Sequence, residues 1–255
     1  MAQIISIVNQ KGGVGKTTTA LNLGAALAKA GKYILLVDID PQANATSGLG
    51  FNWREFKQGI YEAIIGRVSL RSIILPSGRE NLSLAPSTLD LAGANVELVN
   101  LANRELKLRE ALLEIRHDFD YILIDCPPSL GLLTINGLTA ADWLLIPVQA
   151  EYYALEGLGQ LLSTINLVRM NLQPNLNILG AVLTMYDSRN KLSQEVLQEL
   201  YKYFPQKIFR TVIPRTVKLA EAPSFGKTIF EYEPRGKGAN AYERLAKEVL
   251  SQLII

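Results

Sequence analysis

The apolar run Ile4-Ile-Ser-Ile-Val8 leads into Lys11-Gly-Gly-Val-Gly-Lys16-Thr17-Thr18, and a helical pattern opens directly behind it. Strand, glycine turn and helix in immediate succession constrain this chain more than any other feature. The helix must cross back over a sheet, as in the first half of a right-handed strand–helix–strand unit. Glycines let backbone N–H groups turn inward around phosphate oxygens, where a side chain would collide. The helix N-terminus adds unpaired N–H groups and the positive end of its dipole. In a loop of this spacing Lys16 reaches the β- and γ-phosphates of ATP, and the Thr17 hydroxyl ligates Mg²⁺. Gly12, Gly13, Val14, Gly15 and Thr18 complete the expected phosphate cradle. The competing reading is a glycine turn that holds no ligand. The strand before, the helix after and Gly-Lys-Thr in register argue against it.

Further apolar runs fall at Tyr33–Asp38, Leu82–Pro86, Tyr121–Asp125, Trp143–Val148, Leu176–Thr184 and Ile208–Ile213, with the first strand spanning Ile4–Asn9. Most are apolar nearly throughout, which suits parallel strands covered on both faces. Helical stretches lie between them, at Lys16–Ala30, Arg104–Arg116 and Leu155–Met170. Ala239–Ile255 follows, with one apolar face formed by Tyr242, Leu245, Val249, Leu250 and Leu253. The alternation predicts an α/β fold, a mostly parallel twisted sheet with helices on both faces. One domain over residues 1–255 is expected, since no linker, repeat or low-complexity tract interrupts the pattern.

Two strand ends carry carboxylates. Asp38-Ile-Asp40-Pro-Gln-Ala-Asn44 closes the second strand at the carboxyl edge, where open α/β sheets bind ligands. An aspartate there can also hold a ribose hydroxyl in dinucleotide folds, but those need a different glycine spacing. Tyr121-Ile-Leu-Ile-Asp125-Cys-Pro-Pro128 ends likewise, and Asp125 suits a role in polarising the water shell of a bound metal. Such an aspartate elsewhere is often only a turn or a helix cap.

Composition excludes several classes. Hydrophobic residues make up 48% and charged residues 20%, the balance of a globular protein with a full core. No stretch reaches about eighteen uninterrupted apolar residues, so a membrane span is not expected. No basic, cleavable leader precedes Ile4, and a cytoplasmic location is expected. Cys126 is the single cysteine, too few for a disulfide framework, and it reads as a core residue. Net charge is only +2, but from Met185 to Lys218 seven basic residues face three acidic ones. That surplus could form a positive patch.

The loop departs from the common pattern. Gln10 stands where glycine is usual, and Lys11 supplies a second lysine at the front. With Asp38-Ile-Asp-Pro-Gln-Ala-Asn, Asp125-Cys-Pro-Pro-Ser, Val212-Ile-Pro-Arg and Ala220-Glu-Ala-Pro-Ser-Phe-Gly, the chain resembles the ParA/MinD P-loop ATPases with a deviant Walker A loop. Within them it resembles the short ParA/Soj chromosome- and plasmid-partition proteins over almost its whole length. The resemblance implies a homodimer with ATP sandwiched between subunits. Lys11 would reach the partner's nucleotide, and Gly12 would permit the close approach. It also implies that Asp40 positions the attacking water, that Asp38 lies near Mg²⁺, and that Met185 and Pro214 build the adenine pocket. Lys11, Lys16 and Asp40 are thus the expected catalytic residues. Lys11 could instead be a solvated loop lysine, and strand-end packing also accounts for Met185 and Pro214.

Larger relatives carry an N-terminal helix-turn-helix domain. None is expected here, leaving sequence-independent DNA binding through phosphate contacts. Arg189 and Lys218 fall where short members carry DNA-contacting residues, and Arg215 is a further candidate. The family more often has arginine at position 218; lysine keeps the charge and loses the bidentate fork. Basic residues solvating helix ends are the bland alternative. The implied function is an ATP-dependent dimerising switch, nucleoid-associated, that segregates DNA and hydrolyses ATP when a ParB-type centromere-binding protein stimulates it. Two other readings compete. A MinD-like membrane-positioning ATPase would end in a basic amphipathic helix, whereas Ser251-Gln-Leu-Ile-Ile255 carries no positive charge. Among nucleotide-dependent enzymes on this fold, a nitrogenase-type reductase needs more thiolates than one cysteine per chain supplies. A ligase remains open on motif alone.

Overall fold

The computed structural model describes residues 1–151 and 156–253. In chain order β1 (Gln3–Ile7), α1 (Lys16–Lys29) and β2 (Ile34–Asp38) are followed by the short helices α2 (Asn44–Gly48), α3 (Ile60–Ile64) and α4 (Leu70–Ile73). A hairpin of β3 (Leu75–Arg79) and β4 (Leu82–Ala85) comes next, then α5 (Ala94–Glu97), α6 (Lys107–Leu113), β5 (Tyr121–Asp125), α7 (Leu132–Ala140) and β6 (Trp143–Gln149). The last third holds α8 (Glu156–Asn171), β7 (Asn177–Thr184), α9 (Lys191–Tyr203), α10 (Val217–Glu221), α11 (Ile229–Tyr232) and α12 (Lys237–Leu253).

The seven strands form one sheet in the order β3-β4-β2-β5-β1-β6-β7. Every pairing is parallel except β3 with β4. β2 and β5 are buried at every position, which explains their unbroken apolar sequences. Successive residues serve opposite faces. Ile4, Leu35, Val37, Ile122 and Ile124 pack in the core that includes α3, α6, α7, α8 and α9. Ile5, Ile7, Ile34, Leu36 and Leu123 pack in the other, beneath α1 and α12. Tyr242 of α12 is buried there, its hydroxyl 3.3 Å from that of Thr19 in α1. On the first side Gly137 lets α7 approach the sheet: a Cβ there would stand 2.7 Å from Cys126 Sγ. Cys126 is accordingly buried, and its thiol pairs with the Ser6 hydroxyl.

Two strand assignments differ from the expectation. Ile208–Ile213 forms no strand of the sheet; it meets β7 at its two ends, through a bridge of Ile208 with Ala181 and the Ile213 N–H donated to Leu183 O at 2.8 Å. Between those ends the N–H groups of Arg210 and Thr211 donate to the Glu248 carboxylate of α12 rather than to a neighbouring strand. Conversely, Leu75-Pro-Ser-Gly-Arg79 is the antiparallel edge strand β3, despite its proline and glycine. An irregular register between Pro76 and Arg79 accommodates them. Arg104–Arg116 is shorter than its pattern, a 3₁₀ turn at Arg104–Leu106 followed by α6. Leu155, the expected start of the next helix, lies outside the described residues, as do Ile254 and Ile255 of the terminal one.

Candidate nucleotide site

The loop after β1 is fastened from several directions. Asn9 is buried and donates through Nδ2 to Pro147 O at 2.7 Å, while its Oδ1 accepts Lys11 N–H at 3.0 Å. The Thr184 hydroxyl donates to Val14 O at 2.7 Å. Gly13 and Gly15 take left-handed conformations, φ 74° and 89°, which a side chain would strain. Gly12 does not; it is exposed, and a Cβ there would meet only Pro128 Cβ at 3.9 Å. The peptide N–H groups of Lys16, Thr17 and Thr18 begin α1 without a side-chain cap. They are therefore free of intrahelical partners.

Lys16 is buried to 6% exposure, and its Nζ donates to Lys11 O at 3.1 Å. Burial lowers its pKa, against the opposing fields of Asp125, Cys126 and Asp40. The carboxylates assemble because β2 and β5 are neighbours, with Asp38 and Asp125 register partners. Asp38 is fully buried and accepts from Thr46 N–H at 2.8 Å, the Thr46 hydroxyl at 2.7 Å and Asp40 N–H at 3.2 Å. Burial nonetheless outweighs these bonds and pushes its pKa up to about 6. Asp40 is almost as buried and accepts Gln42 N–H at 2.9 Å.

Asp125 differs from both. Neither oxygen of this fully buried carboxylate has a hydrogen-bond partner. The Thr17 hydroxyl lies near enough to favour its charged form without hydrogen-bond geometry. Burial, and then the field of Asp38, drive its pKa well up. A stranded buried carboxylate is costly and calls for a cation or a proton. Hard oxygen donors from Thr17, Asp38 and Asp125 suit Mg²⁺. Among the described residues no acidic cluster holds a metal alone. Mg²⁺ dehydrates reluctantly and shares its shell with water and ligand phosphates, so few protein oxygens suffice for it.

The loop opens on a cleft of about 850 Å³, whose lining includes Gly12, Gly13, Gly15, Lys16, Thr17, Thr18, Asp40 and Met185. Val14, Asp38 and Asp125 are fully buried and do not line it. Lys11 points elsewhere, into an adjoining hollow of about 590 Å³, with Nζ 3.9 Å from Glu151 Oε2. Pro214 is not brought into the cleft; it pairs beside Tyr186 and borders a separate hollow. The far wall was not anticipated: Phe51, Pro223, Ser224, Phe225 and Gly226. Gly50 and Gly226 touch there, a Cβ on Gly226 falling 2.6 Å from Gly50 Cα. Arg79 secures both segments, donating to Leu49 O at 3.1 Å and Gly226 O at 2.7 Å. Its Nε is 2.8 Å from Glu231. Ala220–Gly226 stood out as a sequence motif, but nothing in it pointed to a cleft wall.

The three expected DNA-contacting cations lie outside the cleft. Arg189 is largely exposed but paired two-fold with Asp187, at 3.0 and 2.8 Å, which holds the Asp187 pKa down at about 2. Lys218 pairs with Glu221 at 2.9 Å and lies 5.5 Å from the Tyr232 ring centroid. Arg215 is exposed and forms no ion pair among the described residues.

A family model described as an AAA domain matches residues 2–178. The chain is 55% identical over 249 residues to the sporulation initiation inhibitor protein Soj of Bacillus subtilis, covering 98% of each. It is 50% identical over 252 residues to the chromosome partitioning protein ParA of Myxococcus xanthus, covering 99% of this chain and 89% of that one. Among solved structures, cobyrinic acid a,c-diamide synthase of Mycobacterium smegmatis with bound ADP and magnesium superposes with a TM-score of 0.86. It is 39% identical, covering 97% of this chain and 93% of that chain. None of the described helices is long and apolar enough to cross a membrane. Loop, carboxylates and full-length similarity converge, and the chain belongs to the Soj/ParA family of chromosome-partitioning ATPases.

Proposed function

We propose that this chain is an ATP-dependent dimerising switch that binds DNA without sequence preference in its ATP form and moves chromosome or plasmid DNA. The observation that carries the nucleotide reading is Asp125, stranded and buried beside Thr17 and Lys16 under a glycine loop. The described residues fit ATP with Mg²⁺. Gly13, Val14, Gly15, Lys16, Thr17 and Thr18 offer N–H groups and one ammonium to the phosphates. The metal, held by Thr17 with Asp38 and Asp125 acting through its water, would neutralise phosphate charge. Lys16 already spans the loop to Lys11 O, so its ammonium is placed before any ligand arrives. Asp40, held at the cleft surface, orients a water for attack. Met185 borders the cleft that would take the nucleotide, and Pro214 would contribute only through the Tyr186 segment.

Lys11 is directed away from its own cleft, as suits a lysine that serves a partner's nucleotide. Arg189, Arg215 and Lys218 contact phosphates once the dimer closes, and a ParB-type centromere-binding protein stimulates hydrolysis. The similarity to proteins named for chromosome partitioning at 50% identity supports this over a ligase. A gel-shift series with two unrelated duplexes in ATP, in ADP and without nucleotide tests the proposal. Equal retardation of both duplexes in ATP alone is expected. Retardation of one sequence only, or equal retardation without nucleotide, refutes it.

A further inference from the structure

Two of the three cations expected on DNA are already half-neutralised by their neighbours, Arg189 by Asp187 and Lys218 by Glu221. A less compensated cluster lies on α12. Lys237, Asn240, Arg244 and Lys247 follow helical spacing along one exposed face. With Val212, Pro214 and Arg210 they border two adjoining hollows of about 400 Å³ each. Among the described residues none of Arg210, Lys237, Arg244 and Lys247 forms an ion pair. The two acids nearby are engaged elsewhere. Glu243 pairs with Lys29 at 2.5 Å. Glu248 accepts the N–H groups of Arg210 and Thr211, both at 2.8 Å, and the Thr211 hydroxyl.

We infer that this stripe is a second phosphate-contacting surface for duplex DNA, resting on the proposed DNA-binding function and extending it to residues outside Arg189, Arg215 and Lys218. Lys237 to Lys247 spans about 15 Å of helix. That length follows roughly four phosphates of one strand. The exposed face has no apolar side chain to enter a bilayer: beyond the cations it shows Asn240, Ser251 and Gln252. Interfacial membrane helices need one. The polar stripe on a rigid, well-packed helix favours the duplex backbone instead.

The test compares the wild type with Arg244→Gln/Lys247→Gln and with Arg244→Lys/Lys247→Arg, as full chains in ATP. Both sites are exposed and glutamine is a good helix former, so ATP-analogue affinity and thermal midpoint stay unchanged. The expected result is a plot of log affinity against log salt that is shallower by about two per engaged protomer in the glutamine variant, and unchanged in the charge-conserving one. An unchanged slope in the glutamine variant, with the wild type binding normally, overturns the stripe and leaves the DNA-binding function standing. Loss of binding to anionic phospholipid vesicles with an unchanged DNA slope assigns the stripe to membranes and also overturns it. A wild type that binds no duplex at low salt overturns both.

Discussion

Replacing Gly12 by valine tests the proposed face-to-face dimer. Within one protomer nothing requires glycine there. The backbone is outside the left-handed region, the residue is exposed, and an added Cβ meets only Pro128 at 3.9 Å. The intramolecular cost is therefore about 0.5 kcal/mol or less, as for an ordinary surface change. A face-to-face dimer reverses the balance. Overpacking a close contact costs about 1–3 kcal/mol, and a two-fold interface repeats it in both subunits. The sum, about 2–6 kcal/mol, weakens dimerisation roughly 30-fold to 10⁴-fold at 1.4 kcal/mol per decade. Sedimentation velocity with a non-hydrolysable ATP analogue reads that shift, with Gly12→Ala as an intermediate step. Fluorescent-analogue titration checks that nucleotide affinity stays within about threefold, the scale of a sub-kilocalorie change. Wild-type dimerisation by Gly12→Val would refute the close-approach geometry. Equal loss of nucleotide binding and dimerisation would place the added methyls against the phosphates instead.

Three further outcomes are expected. Lys16→Ala removes the one buried cation of the cleft floor and lowers ATP affinity by at least about 100-fold, the scale of about 3 kcal/mol for a charge-assisted bond; an unchanged titration would show that the loop has been misread. Asp40→Ala leaves ATP binding intact and reduces phosphate release by at least about 100-fold, so that the ATP dimer persists in sedimentation; wild-type turnover would remove Asp40 from catalysis. Asp38 has a folded-state pKa near 6, above its unfolded value, so the stabilisation it gives is full below about pH 4 and is lost as pH rises through 6. Asp38→Asn removes that titration, so without metal or nucleotide the variant gains on the wild type in urea midpoint as pH rises through 6. A pH-independent difference would mean that Asp38 does not titrate in this range.

The central strands were legible because burial on both faces writes itself as unbroken apolar sequence, in β2 and β5 above all. The loop and its aspartates were legible because their chemistry fixes spacing along the chain. What escaped depends on distant partners. Leu75–Arg79 has the composition of a turn and becomes a strand only against β4. Ile208–Ile213 has the composition of a strand and is diverted by Glu248, which lies 38 residues from Arg210. Arg79 shows nothing in its neighbourhood of sequence to mark it as the clasp between Leu49 and Gly226. The ion pairs of Arg189 and Lys218, by contrast, join residues two and three positions apart and could have been read directly.

The strand order has a bearing on how the chain is made. β1 and β2, joined through α1, are not neighbours, because β5 inserts between them. A nascent chain that has released the glycine loop, Asp38 and Asp40 still lacks the strand that holds the two halves in register. Asp125, and Pro147 and Thr184 that fasten the loop, emerge much later. Such non-local pairing postpones closure until most of the chain is available. On the ribosome, then, the glycine loop is fastened only once nearly the whole chain has emerged.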